Sequence, residues 1–118
     1  MTHTTRAKRF NRAAAYIAKQ GPRRFTVGQC FAGPLHDISG HIATMLGWKP
    51  LNDYSFDGTA RRRCREDHAD DIAREFLGLG EDAVSLFSAD APWDTSVKAV
   101  AELKRRAQKA QNWGYCIW

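Results

Sequence analysis

Asp57-Gly-Thr-Ala-Arg-Arg-Arg-Cys-Arg-Glu-Asp-His-Ala-Asp-Asp-Ile-Ala-Arg-Glu-Phe-Leu77 is the stretch whose reading decides the fold. Two readings compete for it. In the first, Thr59 caps a long helix over 60–77, starting anywhere between 59 and 66. Ala60, Cys64, His68, Ile72 and Phe76 recur every four residues, as one helical face requires. In the second, Asp57-Gly58 is a hairpin turn that pairs Tyr54–Phe56 with Thr59–Arg63. Ala-Arg-Arg-Arg-Cys-Arg-Glu has weak strand propensity. Three arginines near a helix N-terminus oppose its dipole by only a few tenths of a kcal/mol each. Periodicity therefore favours the helix.

Working outward, 36–47 predicts another helix, with Asp37 as its cap and Gly47 at its end. Ile38, Ile42 and Leu46 form its buried stripe, with Met45 beside it. Thr26 marks a short helix over 26–32, stopped by Gly33-Pro34. Residues 5–20 predict the first helix, capped by Thr4 or Thr5, with Phe10, Ala13, Ala14 and Ile17 inward and Gly21-Pro22 as its stop. Beyond Gly78 and Gly80, a short helix over 81–89 turns Ala83, Val84 and Phe87 inward. A final helix over 95–112 follows, capped by Asp94 or Thr95, with Val97, Val100, Leu103, Ala107 and Ala110 as its apolar face. The expected fold is mainly α: a bundle of about five helices in one domain, with room for one small β-hairpin.

The 118 residues bear a formal charge of +5. Residues 1–65 hold twelve basic and three acidic residues (+9), and residues 66–118 hold six basic and ten acidic (−4), which together give +5. A basic half joined to an acidic, helical half points to a polyanion-facing surface on the first. The alternative is that the basic side chains merely solvate helix faces. No apolar run reaches the roughly 18 residues of a membrane span, and the basic N-terminus lacks the apolar stretch of a secretory signal. Cys30, Cys64 and Cys116 are odd in number and irregular in spacing, which fits reduced thiols in the cytoplasm better than a disulfide framework.

Phe25-Thr-Val-Gly-Gln-Cys-Phe-Ala-Gly-Pro34 followed by Asp37-Ile-Ser-Gly-His-Ile-Ala-Thr-Met-Leu-Gly-Trp48, behind a basic helix, resembles a helix-turn-helix DNA-binding domain, particularly the winged type. The resemblance covers residues 6–65 and implies that 36–47 is a recognition helix and 48–63 a wing. It then implies that Ser39, His41 and Thr44 face duplex DNA. Arg23, Arg24, Lys49, Arg61, Arg62 and Arg63 would contact its phosphates. The expected function is a small DNA-binding regulator of phage, plasmid or bacterial type.

The alternative is a protein-interaction module or inhibitor of a host protein. It would use the arginine cluster or the aromatic tail, in which Trp113, Tyr115 and Trp118 offer partner anchors or a dimer contact. The stretch from Ala83 to Ala107 also resembles small actinobacterial proteins, a likeness that brings no activity with it. Cys30, His36, His41, Cys64 and His68 raise the question of zinc, since Cys64 and His68 share a face if they are helical. No Cys-x-x-Cys or His-Glu-x-x-His frames them, and no nucleophile, acid–base pair or phosphate loop is spaced for catalysis. The expectation is neither metal, cofactor nor enzyme activity.

Overall fold

A computed structural model describes residues 2–51, 58–80 and 86–112. Four α-helices occur among them: α1 (His3–Gln20), α2 (Ile38–Met45), α3 (Ala69–Leu77) and α4 (Ser96–Asn112). Five short strands form two antiparallel sheets. β1 (Phe31–Ala32) pairs with β2 (Leu35–His36). β3 (Lys49–Pro50), β4 (Thr59–Arg62) and β5 (Arg65–His68) form the second sheet in that order. The fold is thus mixed α/β and not the mainly α five-helix bundle that periodicity predicts. The predicted helix over 81–89 lies largely outside the described residues, as do Ala83 and Val84, although Leu86 at its end is buried.

The largest correction falls on 59–77. The stretch 59–68 is a hairpin, and only Ala69–Leu77 is helical. Thr59 pairs with His68 and Arg62 with Arg65, so the turn of this hairpin is Arg63-Cys64, while Asp57 of the expected Asp57-Gly58 turn lies outside the described residues. The predicted partner strand Tyr54–Phe56 lies outside the described residues. Electrostatics at the helix start explains part of the choice. Starting at Ala69 places Asp70 and Asp71 in the first turn, where the dipole favours them, and removes the arginines that it opposes. The four-residue recurrence was partly coincidental. Ile72 and Phe76 share a helical face, but Ala60 is buried as a strand residue opposite Asp67.

A second correction concerns 26–32. Gly28 has φ +89°, outside the helical region. The chain there is extended: Phe25 bridges to His36, and Thr26 N donates to His36 O at 3.1 Å. Between α1 and α2 lie a 3₁₀ turn at Pro22–Arg24 and the β1–β2 hairpin, where the resemblance requires a helix.

Elsewhere the periodicity holds. α1 buries Phe10, Ala13, Ala14 and Ile17, but its cap is Thr2, whose Oγ1 accepts from Thr5 N at 3.1 Å. α1 makes its most extensive contact with α4. That contact shifts the inward face of α4 to Ser96, Ala99, Leu103, Ala107 and Ala110, leaving Val97 73% exposed. The alanines on both helices permit close approach, which a face centred on Val97 would prevent. Phe25, Ile38, Ile42, Phe76, Leu77 and Leu86 complete this main core. A second cluster, with Cys30, Phe31, Ala43, Trp48, Ala60, Ala69 and Ile72, lies under the three-stranded sheet. No helix among the described residues is long and apolar enough to cross a membrane.

Candidate functional site

The β4–β5 hairpin is a basic ribbon. Arg61, Arg62, Arg63, Cys64, Arg65 and Glu66 are exposed in succession. Strand alternation sorts their side chains. Lys49, Arg61 and Glu66 are cross-strand neighbours, and Arg61 pairs with Glu66 at 2.6 Å. Arg62 and Arg65 are also directly opposed, an arrangement that costs free energy unless something compensates it. Trp48 does so: the guanidinium carbons of Arg62 and Arg65 lie 4.8 and 5.9 Å from the centre of its ring. Arg62 also donates to Leu46 O at 3.1 Å, and Arg65 pairs with Asp67 at 3.0 Å. Arg63 occupies the turn with φ +58°, the one non-glycine residue with positive φ among those described. The two ion pairs are solvent-exposed, worth roughly 0–1 kcal/mol each, so an incoming phosphate can displace them.

The residues assigned to base reading are elsewhere. Ser39 is 0% exposed and His41 1%. Thr44 is half-buried and donates to Gly40 O at 2.9 Å. α2 is a core helix, and neither Ser39 nor His41 reaches the surface. Arg23 and Arg24 are exposed on the 3₁₀ turn, which is tied to α2 because His41 Nε2 donates to Arg24 O at 2.9 Å. Lys49, Arg61, Arg62 and Arg63 line one shallow groove, so the structure brings these four predicted residues together. Trp113, Tyr115 and Trp118 lie outside the described residues.

At the foot of the ribbon the starts of α2 and α3 converge on a polar cluster that sequence reasoning missed. Asp37, the N-cap of α2, accepts from Gly40 N at 2.8 Å and from Ser39 Oγ at 2.9 Å. Ser39 Oγ also contacts Asp70 Oδ1. Cys30 Sγ lies 3.5 Å from both Ser39 Oγ and Asp70 Oδ1. His68 caps α3, its Nδ1 accepting from Asp70 N at 3.0 Å. Asp37-x-Ser39 and His68-x-Asp70 put a polar cap and a polar second helical residue at the same spacing. That repetition was the available signal, and the helix reading of 60–77 hid it.

Burial pushes Asp37 up to about 6, even though the bonds from Gly40 and Ser39 favour its charged form. Burial also pushes the Cys30 thiol up, assisted by Asp37. Cys30 is therefore a protonated thiol and not a standing nucleophile. The predicted Cys64–His68 face does not exist, because Cys64 sits in the ribbon turn and His68 at its foot.

Beside the cluster, the His36 and His41 rings lie 5.3 Å apart, and His41 stacks on Phe25 at 6.0 Å. Burial, then His36, lowers His41 to about 4. With Nε2 donating to Arg24, its Nδ1 is left buried without a partner among the described residues. His41 is buried and neutral, with His36 half-buried beside it. Comparison with protein-family models, curated proteins and solved structures finds no match for this chain.

Proposed function

We propose that this chain binds nucleic-acid phosphates, those of duplex DNA first, through the β4–β5 ribbon. The observation that carries the reading is the display of Lys49, Arg61, Arg62, Arg63 and Arg65 on one short sheet braced by Trp48. A two-stranded ribbon can enter a groove or lie along a backbone, and arginine suits phosphate geometry. Phosphate contacts position a protein without reading sequence. With Ser39 and His41 buried, recognition rests on charge and groove shape, not on a helix reading bases. A regulatory role and a cytoplasmic setting accompany this reading, and the free thiols Cys30 and Cys64 suit a reducing compartment.

Fluorescence anisotropy of labelled duplex DNA tests it, across salt from about 50 to 200 mM. Four or five phosphate contacts predict a log–log slope of roughly −4, a loss of about 10²-fold in affinity over that range. The variant with Arg61→Ala, Arg63→Ala and Arg65→Ala should lower affinity and flatten the slope by about 3. Absence of binding at the lowest salt, or an unchanged slope in that variant, overturns the reading.

A further inference from the structure

We propose that Cys30, His68 and Asp70 form a binding site for one divalent soft-to-borderline metal ion, Zn²⁺ by its chemistry, at the foot of the ribbon. A ligand atom from each of the three residues lies within 4.8 Å of the others. Cys30 Sγ and Asp70 Oδ1 are 3.5 Å apart. Two ligands of a tetrahedral zinc, at bond lengths of about 2.3 and 2.0 Å, are separated by roughly 3.5 Å.

Gly58 supplies an independent indication that the donors converge. A β-carbon built on it would lie 2.6 Å from His68 Nε2 and 3.2 Å from Cys30 Sγ. The imidazole edge and the thiol thus both pack against the backbone of residue 58, where a side chain would not fit. A thiol, an imidazole and a carboxylate form a mixed donor set suited to zinc.

The surroundings favour a cation. Ser39 Oγ has one proton but touches a carboxylate oxygen of both Asp37 and Asp70. Among the described residues no lysine or arginine pairs with either acid. Two helix N-termini offset part of this negative charge and oppose a cation weakly. A zinc–thiolate bond outweighs that opposition. The side chains of His68 and Asp70 are 38% and 37% exposed, whereas Cys30 is 9% exposed. An ion held there therefore has three protein ligands and a fourth position facing water.

On binding, Zn²⁺ displaces the Cys30 thiol proton to solvent. If Nε2 coordinates, the ring keeps its proton on Nδ1, and the cap bond from Asp70 N opens. Gly58 precedes β4, His68 ends β5, and Cys30 and Asp70 belong to the body. The ion would therefore fasten the β5 end of the ribbon to Cys30 in the body.

The test is a Co²⁺ titration of the chelator-stripped full chain, followed by absorbance, with Zn²⁺ as competitor. Cys64→Ser and Cys116→Ser together remove the other thiols. The expected result is one Co²⁺ per chain in that double variant. It should show a thiolate-to-metal charge-transfer band, tetrahedral visible bands, displacement by Zn²⁺ and a higher melting temperature with Zn²⁺. Adding Cys30→Ser should abolish the charge-transfer band. Asp70→Asn, at a half-exposed position, should weaken binding roughly tenfold or more while the fold is retained. The proposal is overturned if the folded double variant gives no band. It is equally overturned if Cys30→Ser keeps the band, or if Asp70→Asn binds with unchanged affinity.

Discussion

Gly40→Ala inverts the usual rule for helices. Replacing a helical glycine by alanine ordinarily stabilises by about 1 kcal/mol. At this position the new β-carbon would stand 1.9 Å from Cys30 O, 2.9 Å from Cys30 C and 3.0 Å from His36 Cβ. Two of these atoms are backbone, so no side-chain rotation relieves the clash, and α2 must move by more than an ångström. Overpacking of that kind costs up to about 3 kcal/mol. The movement also strains the bond from Gly40 N to Asp37, a cap contact worth roughly 1 kcal/mol. Subtracting the propensity gain leaves a net loss of about 3 kcal/mol. With an unfolding entropy of roughly 2.1 cal/mol/K per residue over 118 residues, this lowers the melting temperature by about 12 °C. Thermal unfolding followed by far-ultraviolet circular dichroism measures it. Gly80→Ala is the control, since nothing lies within 4 Å of its added β-carbon and its effect should stay within about 0.5 kcal/mol. If Gly40→Ala melts at or above the temperature of the parent, the close packing of α2 on Cys30 is wrong, and the polar cluster built on it falls too.

Other perturbations probe other parts. Leu103→Ala, at a fully buried position between α1 and α4, should lose about 2–5 kcal/mol in urea unfolding, whereas Val97→Ala at 73% exposure should be nearly neutral; similar losses for both would refute the observed phase of α4. Arg63→Gly relieves a positive φ in the ribbon turn and should raise stability by up to about 1 kcal/mol while weakening DNA binding, so a fall in melting temperature counts against this turn geometry. His41 is held down to about 4, so its native state resists a proton that the unfolded chain accepts near 6.5. Its stabilisation is present above pH 6.5 and is lost as pH falls toward 4, by on the order of 3 kcal/mol, since the ring is 1% exposed. Asp37, raised from 3.8 to about 6, acts in the opposite sense and offsets most of that loss between pH 6 and 4. His41→Gln, whose amide can still donate to Arg24 O, should shift the stability change between pH 7 and 4 upward relative to the parent, leaving the Asp37 gain set against the losses from His36, Glu102 and Asp94, whose values are also lowered; an unchanged pH profile would rule out His41 as a source.

Local, one-sided patterns were legible in the sequence. The inward face of α1, the Asp37 cap and the buried Ile38–Ile42 stripe follow from spacing alone, because a helix with one apolar side has one way to bury it. The charge asymmetry and the arginine cluster were equally plain. Burial of Ser39 and His41 was not. Small and polar residues opposite an apolar stripe ordinarily face water, and here a second layer of chain, Cys30, His36 and Arg24, covers them.

Residue spacing and charge alone fix the amphipathic helices over 3–20 and 96–112 and the concentration of positive charge in the first half. That 59–68 forms a hairpin depends on long-range packing. Its local helical periodicity yields to the pairing of β4 with β3 and β5, to the seat of Arg62 and Arg65 on Trp48, and to two aspartates at the start of α3. The same choice creates the ribbon and carries His68 to Cys30, 38 positions away in the chain. Such proximity is a property of packing between distant segments, which no local spacing encodes.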